Sequence, residues 1–253
     1  MITDLCGCSC TYGRFADVWS NKKMSTLFLF SHAGGNVWEY AKMLSGIEKE
    51  IRMMPVELPG DASRLMAELY DDFGGYVKEA HDYIMKNAAA GDDIYLMGHS
   101  FGGYLMYELA KSLPIKVSGI VASGCHPYHI YRKPVKGDST YCHIFGYSKD
   151  MPQELIELFE PVIADKIEIV AKHCKGYKNS VVPEVLHIPA EILYGQDDDR
   201  DCGSEEWYKY FDKDTCNIHI MNGGHFYWRD DESNIDKMSK IILNLKERTN
   251  GKG

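Results

Sequence analysis

The chain has 253 residues, 45% of them hydrophobic and 26% charged, with a net charge of -9. That length suits one α/β domain with a sizeable core, and that composition excludes a chain disordered throughout. The acidic balance and the lack of a long basic stretch speak against nucleic acid as a partner, and any acidic partner would need a local docking surface.

No apolar run approaches the roughly 20 residues that span a bilayer, and the first residues lack the charged-then-apolar pattern of a secretory signal. No membrane association is therefore expected, and the expected location is the cytoplasm. Cys6, Cys8, Cys10, Cys125, Cys142, Cys174, Cys202 and Cys216 are accordingly expected as reduced thiols. The C-x-C-x-C run Cys6, Cys8, Cys10 lacks the two-residue gap common in zinc sites and has no second ligand pair nearby. It is read as an incidental part of a flexible N-terminal extension over residues 1–25, and neither a metal nor a cofactor is expected.

Thr26-Leu27-Phe28-Leu29-Phe30 is an uninterrupted apolar run, the pattern of a strand buried on both faces, and it ends at Ser31-His32-Ala33-Gly34-Gly35-Asn36. A helix is expected over residues 37–46, then a strand over 51–58 closed by Pro59-Gly60. Residues 73–87 have helical spacing, with Tyr76, Ala80, Tyr83 and Ile84 on one face. A strand at Ile94-Tyr95-Leu96-Met97 leads through a turn into a helix over 104–111, and residues 117–123 form the next strand. Between about 126 and 185 no short apolar strand appears, and helical pieces are expected over 153–159 and 161–174. His126, His129 and His143 in this stretch are expected as solvated loop histidines. Strands return at Ala190-Glu191-Ile192-Leu193-Tyr194 and Asn217-Ile218-His219-Ile220-Met221, and a last helix is expected over 231–247.

This alternation implies an α/β chain: a mostly parallel sheet flanked by helices, joined by right-handed crossovers, in a single domain over residues 26–248. The helical insertion at about 126–185 leaves and re-enters at strand ends, where sites in such sheets lie. It is expected to be a lid that shapes the pocket.

Gly98-His99-Ser100-Phe101-Gly102 is a G-x-S-x-G motif between a strand and a helix, the arrangement of the nucleophile elbow of α/β-hydrolases. Glycines suit the tight turn, and the helix start leaves a backbone N–H free for an oxyanion. A serine needs a base, and the base an orienting acid; in such folds they follow in the order Ser, Asp or Glu, His. Asp198 lies three residues after Gly195 behind a strand and is the expected acid, with its neighbours Asp197 and Asp199 left open. His225, after Gly223-Gly224 and the last strand, is the expected base. His99 is read as a packing residue. The oxyanion donors are expected to be the backbone N–H groups of Phe101 and Ala33.

Together these segments resemble the type II thioesterases of non-ribosomal peptide and polyketide synthesis. The shared features are His32-Ala33-Gly34-Gly35, Leu58-Pro59-Gly60 with Arg64, the elbow with Gly103, Tyr107-Glu108-Leu109-Ala110, Ser123-Gly124 near Pro127, Gly195 with Asp198, Trp207, and Gly224-His225-Phe226. The resemblance covers roughly residues 26–245. It implies an α/β-hydrolase fold and an editing hydrolase that clears acyl or aminoacyl thioesters from the phosphopantetheine arm of carrier proteins. It assigns Ser100 as nucleophile, His225 as base and Asp198 as acid; with no carrier segment in the chain, the expected partner is a separate carrier protein acted on in trans, and the expected state is a monomer. The chain departs from the family where an arginine and a glycine usually follow the Leu-Pro-Gly, since it has Asp61 and Ala62 there. That departure bears on loop contacts and on part of the carrier-facing surface. The competing expectations are a general carboxylesterase or lipase acting on free small esters, and a catalytically silent binding module on the same fold.

Overall fold

Six strands, among the described residues, lie parallel in one sheet: β1 (Ser25–Phe30), β2 (Arg52–Val56), β3 (Asp93–His99), β4 (Val117–Ser123), β5 (Ala190–Gly195) and β6 (Cys216–Met221). Their spatial order is β2-β1-β3-β4-β5-β6. The computed structural model describes residues 24–134, 152–179, 183–198 and 203–250. Cys6, Cys8, Cys10, Cys142, His143, Asp199, Cys202 and the central part of the expected lid lie outside the described residues.

The strands read as continuous apolar runs because each feeds two cores, side chains alternating between faces. Phe28, Phe30, Ile94, Leu96, Ile120 and Ile192 enter one core. Their neighbours Leu27, Leu29, Tyr95, Met97, Val121 and Leu193 enter the other. The first core is covered by α2 (Phe73–Asn87), α3 (Phe101–Ser112) and α4 (Gln153–Asn179), the second by α1 (Val37–Met43), α5 (Tyr227–Asp230) and α6 (Ser233–Asn250). On α2, Phe73, Tyr76, Ala80 and Ile84 are buried, and Asp72 caps the helix by accepting a hydrogen bond from Gly75 N at 2.9 Å. Pro55 lies within β2, which tolerates a missing N–H because β2 is the edge strand.

One helical expectation differs from what is found. The pieces over 153–159 and 161–174 are one helix of 27 residues that runs through Pro161. The carbonyl deprived of its donor is that of Glu157, an exposed residue, where solvent can replace the lost bond. At the C-terminus the helix expected over 231–247 is found as α6, and the short α5 precedes it. Asp231 separates the two with an extended backbone and accepts from Ser233 N at 2.9 Å. The loops after β1, β3, β5 and β6 carry His32-Ala33, Ser100, Asp198 and His225, and since the strands are parallel all four loops open on the same edge of the sheet.

Candidate active site

Ser100 sits between the end of β3 and the first residue of α3 with φ 52° and ψ -112°, the one positive φ among described non-glycine residues. Such a backbone costs about 1–3 kcal/mol and persists only where its surroundings enforce it. Ser100 N donates to Ser123 O at 2.8 Å, and Gly102 N donates to Ser31 O at 3.0 Å, tying the turn to β4 and to the end of β1. The flanking glycines are demanded by close approach: a Cβ on Gly98 would lie 2.1 Å from Gly102 O, and one on Gly102 would lie 2.5 Å from Phe30 O.

Ser100, Phe101 and Ala33 line one cleft, walled by Tyr104, Tyr131, Ile167 and Val170, with Lys166 beside them. Phe101 opens α3, so its N–H belongs to the group of helix-start donors that have no partner within the helix. Ala33 is buried in the loop after β1. That loop is braced by Gly35 N donating to His32 O at 2.9 Å and by Ala62 N donating to Gly35 O at 3.0 Å.

His225 Nδ1 lies 2.8 Å from Asp198 Oδ2, with the two side chains 1% and 4% exposed. Of the three consecutive aspartates, Asp198 is the one brought to the imidazole; Asp197 is exposed and Asp199 is outside the described residues. The two loops are fastened to each other. Asp197 N donates to Gly223 O at 2.9 Å, and a Cβ on Gly195 would lie 1.9 Å from Gly224 O.

His99 is wholly buried and shares a 2.8 Å hydrogen bond between its Nδ1 and Ser123 Oγ, which in turn meets Tyr227 OH at 2.7 Å. Burial first, and then the neighbouring charges of His225 and His32, hold its pKa well below that of an ordinary histidine. It is neutral at neutral pH and packs against the other ring. His32 is likewise lowered, first by burial and then by Arg229, and lies 2.7 Å through Nδ1 from Tyr40 OH. The expectation of solvated histidines in the insertion is corrected at two positions. His126 is buried, and His129 is held by Glu206 at 2.8 Å and Tyr210 at 3.0 Å. The ring of His126 packs beside Tyr194 of β5, and both residues that hold His129 come from the stretch just before β6.

A model of the thioesterase domain matches residues 25–243. The chain belongs to the thioesterase family. As a thioesterase it is a hydrolase acting on thioesters. Thioesterase TesA of Mycobacterium marinum is 32% identical over 134 residues, which span 50% of this chain and 53% of that protein. LgrE of Brevibacillus parabrevis, a linear gramicidin dehydrogenase, is 24% identical over 83% of this chain and 84% of its own. Among solved structures, ClbQ from the colibactin NRPS/PKS pathway superposes with a TM-score of 0.70 at 20% identity, covering 88% of this thioesterase and 99% of ClbQ. RedJ from the prodiginine pathway of Streptomyces coelicolor gives 0.69 at 20% identity, with 90% of each chain covered. The fold they share with this thioesterase is that of the α/β-hydrolases. Among the described residues, no helix of the thioesterase is long and apolar enough to cross a membrane.

Sequence reasoning missed a charged pair at the cleft. Asp61, the departure from the family pattern, is 2% exposed; it accepts from Leu58 N at 2.9 Å through Oδ2 and from Lys166 Nζ at 2.7 Å through Oδ1. The departure thus faces inward onto α4. A signal for it existed: Ile163, Lys166, Ile167, Val170 and Cys174 repeat at helical spacing, so Lys166 occupies a position where an apolar residue is expected.

Proposed function

We propose that this thioesterase clears acyl or aminoacyl groups from the phosphopantetheine arm of separate carrier proteins, as an editing hydrolase of non-ribosomal peptide or polyketide synthesis, with Ser100, His225 and Asp198 as its triad. It works in trans, as a monomer in the cytoplasm. The observation that carries the reading is Ser100 held at positive φ on the floor of a cleft it shares with Phe101 and Ala33. The 2.8 Å contact of His225 with Asp198 supports the base and its orienting acid. The thioesterase family membership supports the bond cleaved, and the pathways printed for ClbQ and RedJ support the carrier as its bearer.

In this mechanism Ser100 Oγ attacks the thioester carbonyl carbon while His225 takes the hydroxyl proton. Asp198 fixes the imidazole tautomer and offsets the charge that the ring acquires. The carbonyl oxygen becomes an oxyanion and accepts from the N–H groups of Ala33 and Phe101, each such donor contributing about 3 kcal/mol to the transition state. The C–S bond then breaks, and the pantetheine sulfur leaves with the proton from His225. A water molecule, deprotonated by His225, attacks the acyl-enzyme; collapse releases the free acid and restores Ser100. The domain runs over residues 26–248, with the insertion at about 126–185 acting as lid. Support for that role comes from α4, whose Ile167, Val170 and Lys166 line the cleft.

The test is intact-mass analysis of acyl-loaded carrier proteins against free acyl thioesters of coenzyme A and N-acetylcysteamine, with wild type and Ser100→Ala side by side. Faster clearance from the carrier, abolished in the variant, is the expected result. Equal or better activity on free esters with no gain from a carrier would instead assign a general carboxylesterase, and turnover unaffected by Ser100→Ala would overturn the serine mechanism.

A further inference from the structure

Lys166 is an odd residue to find where it is. Its side chain is 0% exposed, yet it borders the cleft that holds Ser100. A lysine ammonium carries three donors. Among the described residues one acceptor meets it, Asp61 Oδ1 at 2.7 Å. Two aromatic rings also face it, with the Nζ 4.6 Å from the ring centroid of Phe101 and 5.4 Å from that of Tyr76. Those ring faces attract the charge but accept hydrogen bonds poorly compared with oxygen. Along the cleft Lys166 stands with Ile167 and Val170 of the same helix and with Phe101, while Tyr104 and Tyr131 also line it.

Two physical facts follow. A buried donor left on an aromatic face gains when an oxygen acceptor arrives, because no water hydrogen bond has to be broken to make the new one. And the four-carbon stem of lysine is flexible, so the ammonium can turn toward the cleft while it stays beside Asp61. The carboxylate is fixed independently by Leu58 N at 2.9 Å, which anchors the pair to the loop after β2. Burial pushes the lysine pKa down and the Asp61 pKa up, each pulled back by its partner. Whichever partner holds the shared proton, Nζ keeps further N–H groups beyond the bond to Asp61 Oδ1, and these are the donors toward the cleft.

We infer that Lys166, steadied by Asp61, is a specificity-determining residue that selects acyl groups carrying an oxygen acceptor along the chain, such as hydroxyacyl or ketoacyl thioesters, over saturated alkyl ones. The inference rests on the thioesterase reading above and names the class of acyl group it handles. An alkyl chain entering the same cleft leaves the lysine on its aromatic faces and gains only apolar contact. A chain with a hydroxyl or keto oxygen supplies the missing acceptor. A site built to hydrogen-bond its substrate discriminates against the analogue that lacks the group far more sharply than an apolar pocket discriminates by size.

The experiment compares kcat/KM for N-acetylcysteamine thioesters of hexanoate and of its 3-, 4- and 5-hydroxy derivatives, each normalised to its hydroxide-catalysed hydrolysis. Wild type is expected to favour the best hydroxyacyl substrate at least tenfold over hexanoyl. Removing Lys166 alone would leave Asp61 buried and unpaired, so the variant replaces both, Lys166→Met with Asp61→Asn, and keeps the site neutral. The preference is expected to collapse to within about twofold in that variant. A wild type with no preference overturns the inference even if the variant does not fold, and so does a preference that survives the double substitution. Hydrolysis of none of these thioesters, or of all of them at equal normalised rates, overturns this inference alone, whereas the thioesterase reading falls only when carrier-bound acyl groups are left uncleared as well.

Discussion

The ring centroids of His99 and His225 lie 4.7 Å apart, and His99 is itself braced edge-on by Trp228 at 4.5 Å. A neutral, wholly buried imidazole thus forms one wall of the proposed general base's seat. A triad base has to present its ring within a few tenths of an ångström of the productive position, and a small misplacement costs heavily. His99→Ala removes that wall. The expected outcome is a fall of ten- to a hundredfold in kcat with KM changed less than threefold, plus a loss of about 2–4 kcal/mol in stability from the cavity. Steady-state kinetics beside a urea melt separates the two effects, and an unchanged kcat would show that the wall is dispensable.

Asp198 and Asp197 differ in one respect that matters, since only the first is buried against His225. Asp198→Asn should keep the fold but present an amide where the carboxylate fixed the tautomer, lowering kcat by roughly 10³–10⁴. Asp197→Asn, on an exposed side chain, should stay within about twofold of wild type. Parallel turnover assays on a single thioester decide it, and equal losses in the two variants would remove Asp198 from the triad.

Glu108 on α3 accepts from His173 Nε2 at 3.1 Å, from Lys111 Nζ at 2.8 Å and from Tyr177 OH, which ties α4 to α3. Burial alone would raise this carboxyl, but the hydrogen bonds from His173, Lys111 and Tyr177 outweigh it and hold the group at about 2, against an ordinary 4.5. A carboxyl whose folded pKa is depressed contributes stability that is fully present above 4.5 and lost as pH falls toward about 2. Thermal melts of wild type should therefore weaken steeply over that window. Glu108→Gln should flatten this part of the curve and cost about 2–3 kcal/mol at neutral pH. Curves that run parallel would show that the link between the two helices carries no charge-dependent stability.

Much of this was legible in the chain. Apolar runs at β1, β3 and β5 declare strands buried on both faces because their alternating side chains serve two cores, and residues 73–87 and 117–123 are found with the expected bounds. The serine turn is legible because only glycines fit beside it. Pro161 misleads, since a proline in a helical pattern ordinarily marks an end, and here the helix continues past it on an exposed stretch. Asp61 and Lys166 were illegible as a pair because 105 residues separate them and the contact exists only once α4 lies across the loop after β2. His99 gave no sign of its neighbour for the same reason: its partner ring comes from the loop after β6, far along the chain.

The loops that carry Asp198 and His225 approach so closely at one point that a side chain is excluded there. A Cβ on Gly195 would sit 1.9 Å from Gly224 O and 2.5 Å from Gly223 O, backbone atoms that cannot turn aside as a side chain could. Gly195→Ala must therefore push the His225 loop away from the end of β5, lengthening the 2.8 Å contact between His225 and Asp198. The expected outcome is a loss of at least a hundredfold in kcat, with a stability cost of about 3 kcal/mol or more from the forced backbone shift. Gly46→Ala is the matching control, since no atom lies within 4 Å of the added carbon, and it should leave both quantities near wild type. Were Gly195→Ala to retain full turnover, the close seating of the two loops would have no part in holding the acid against the base.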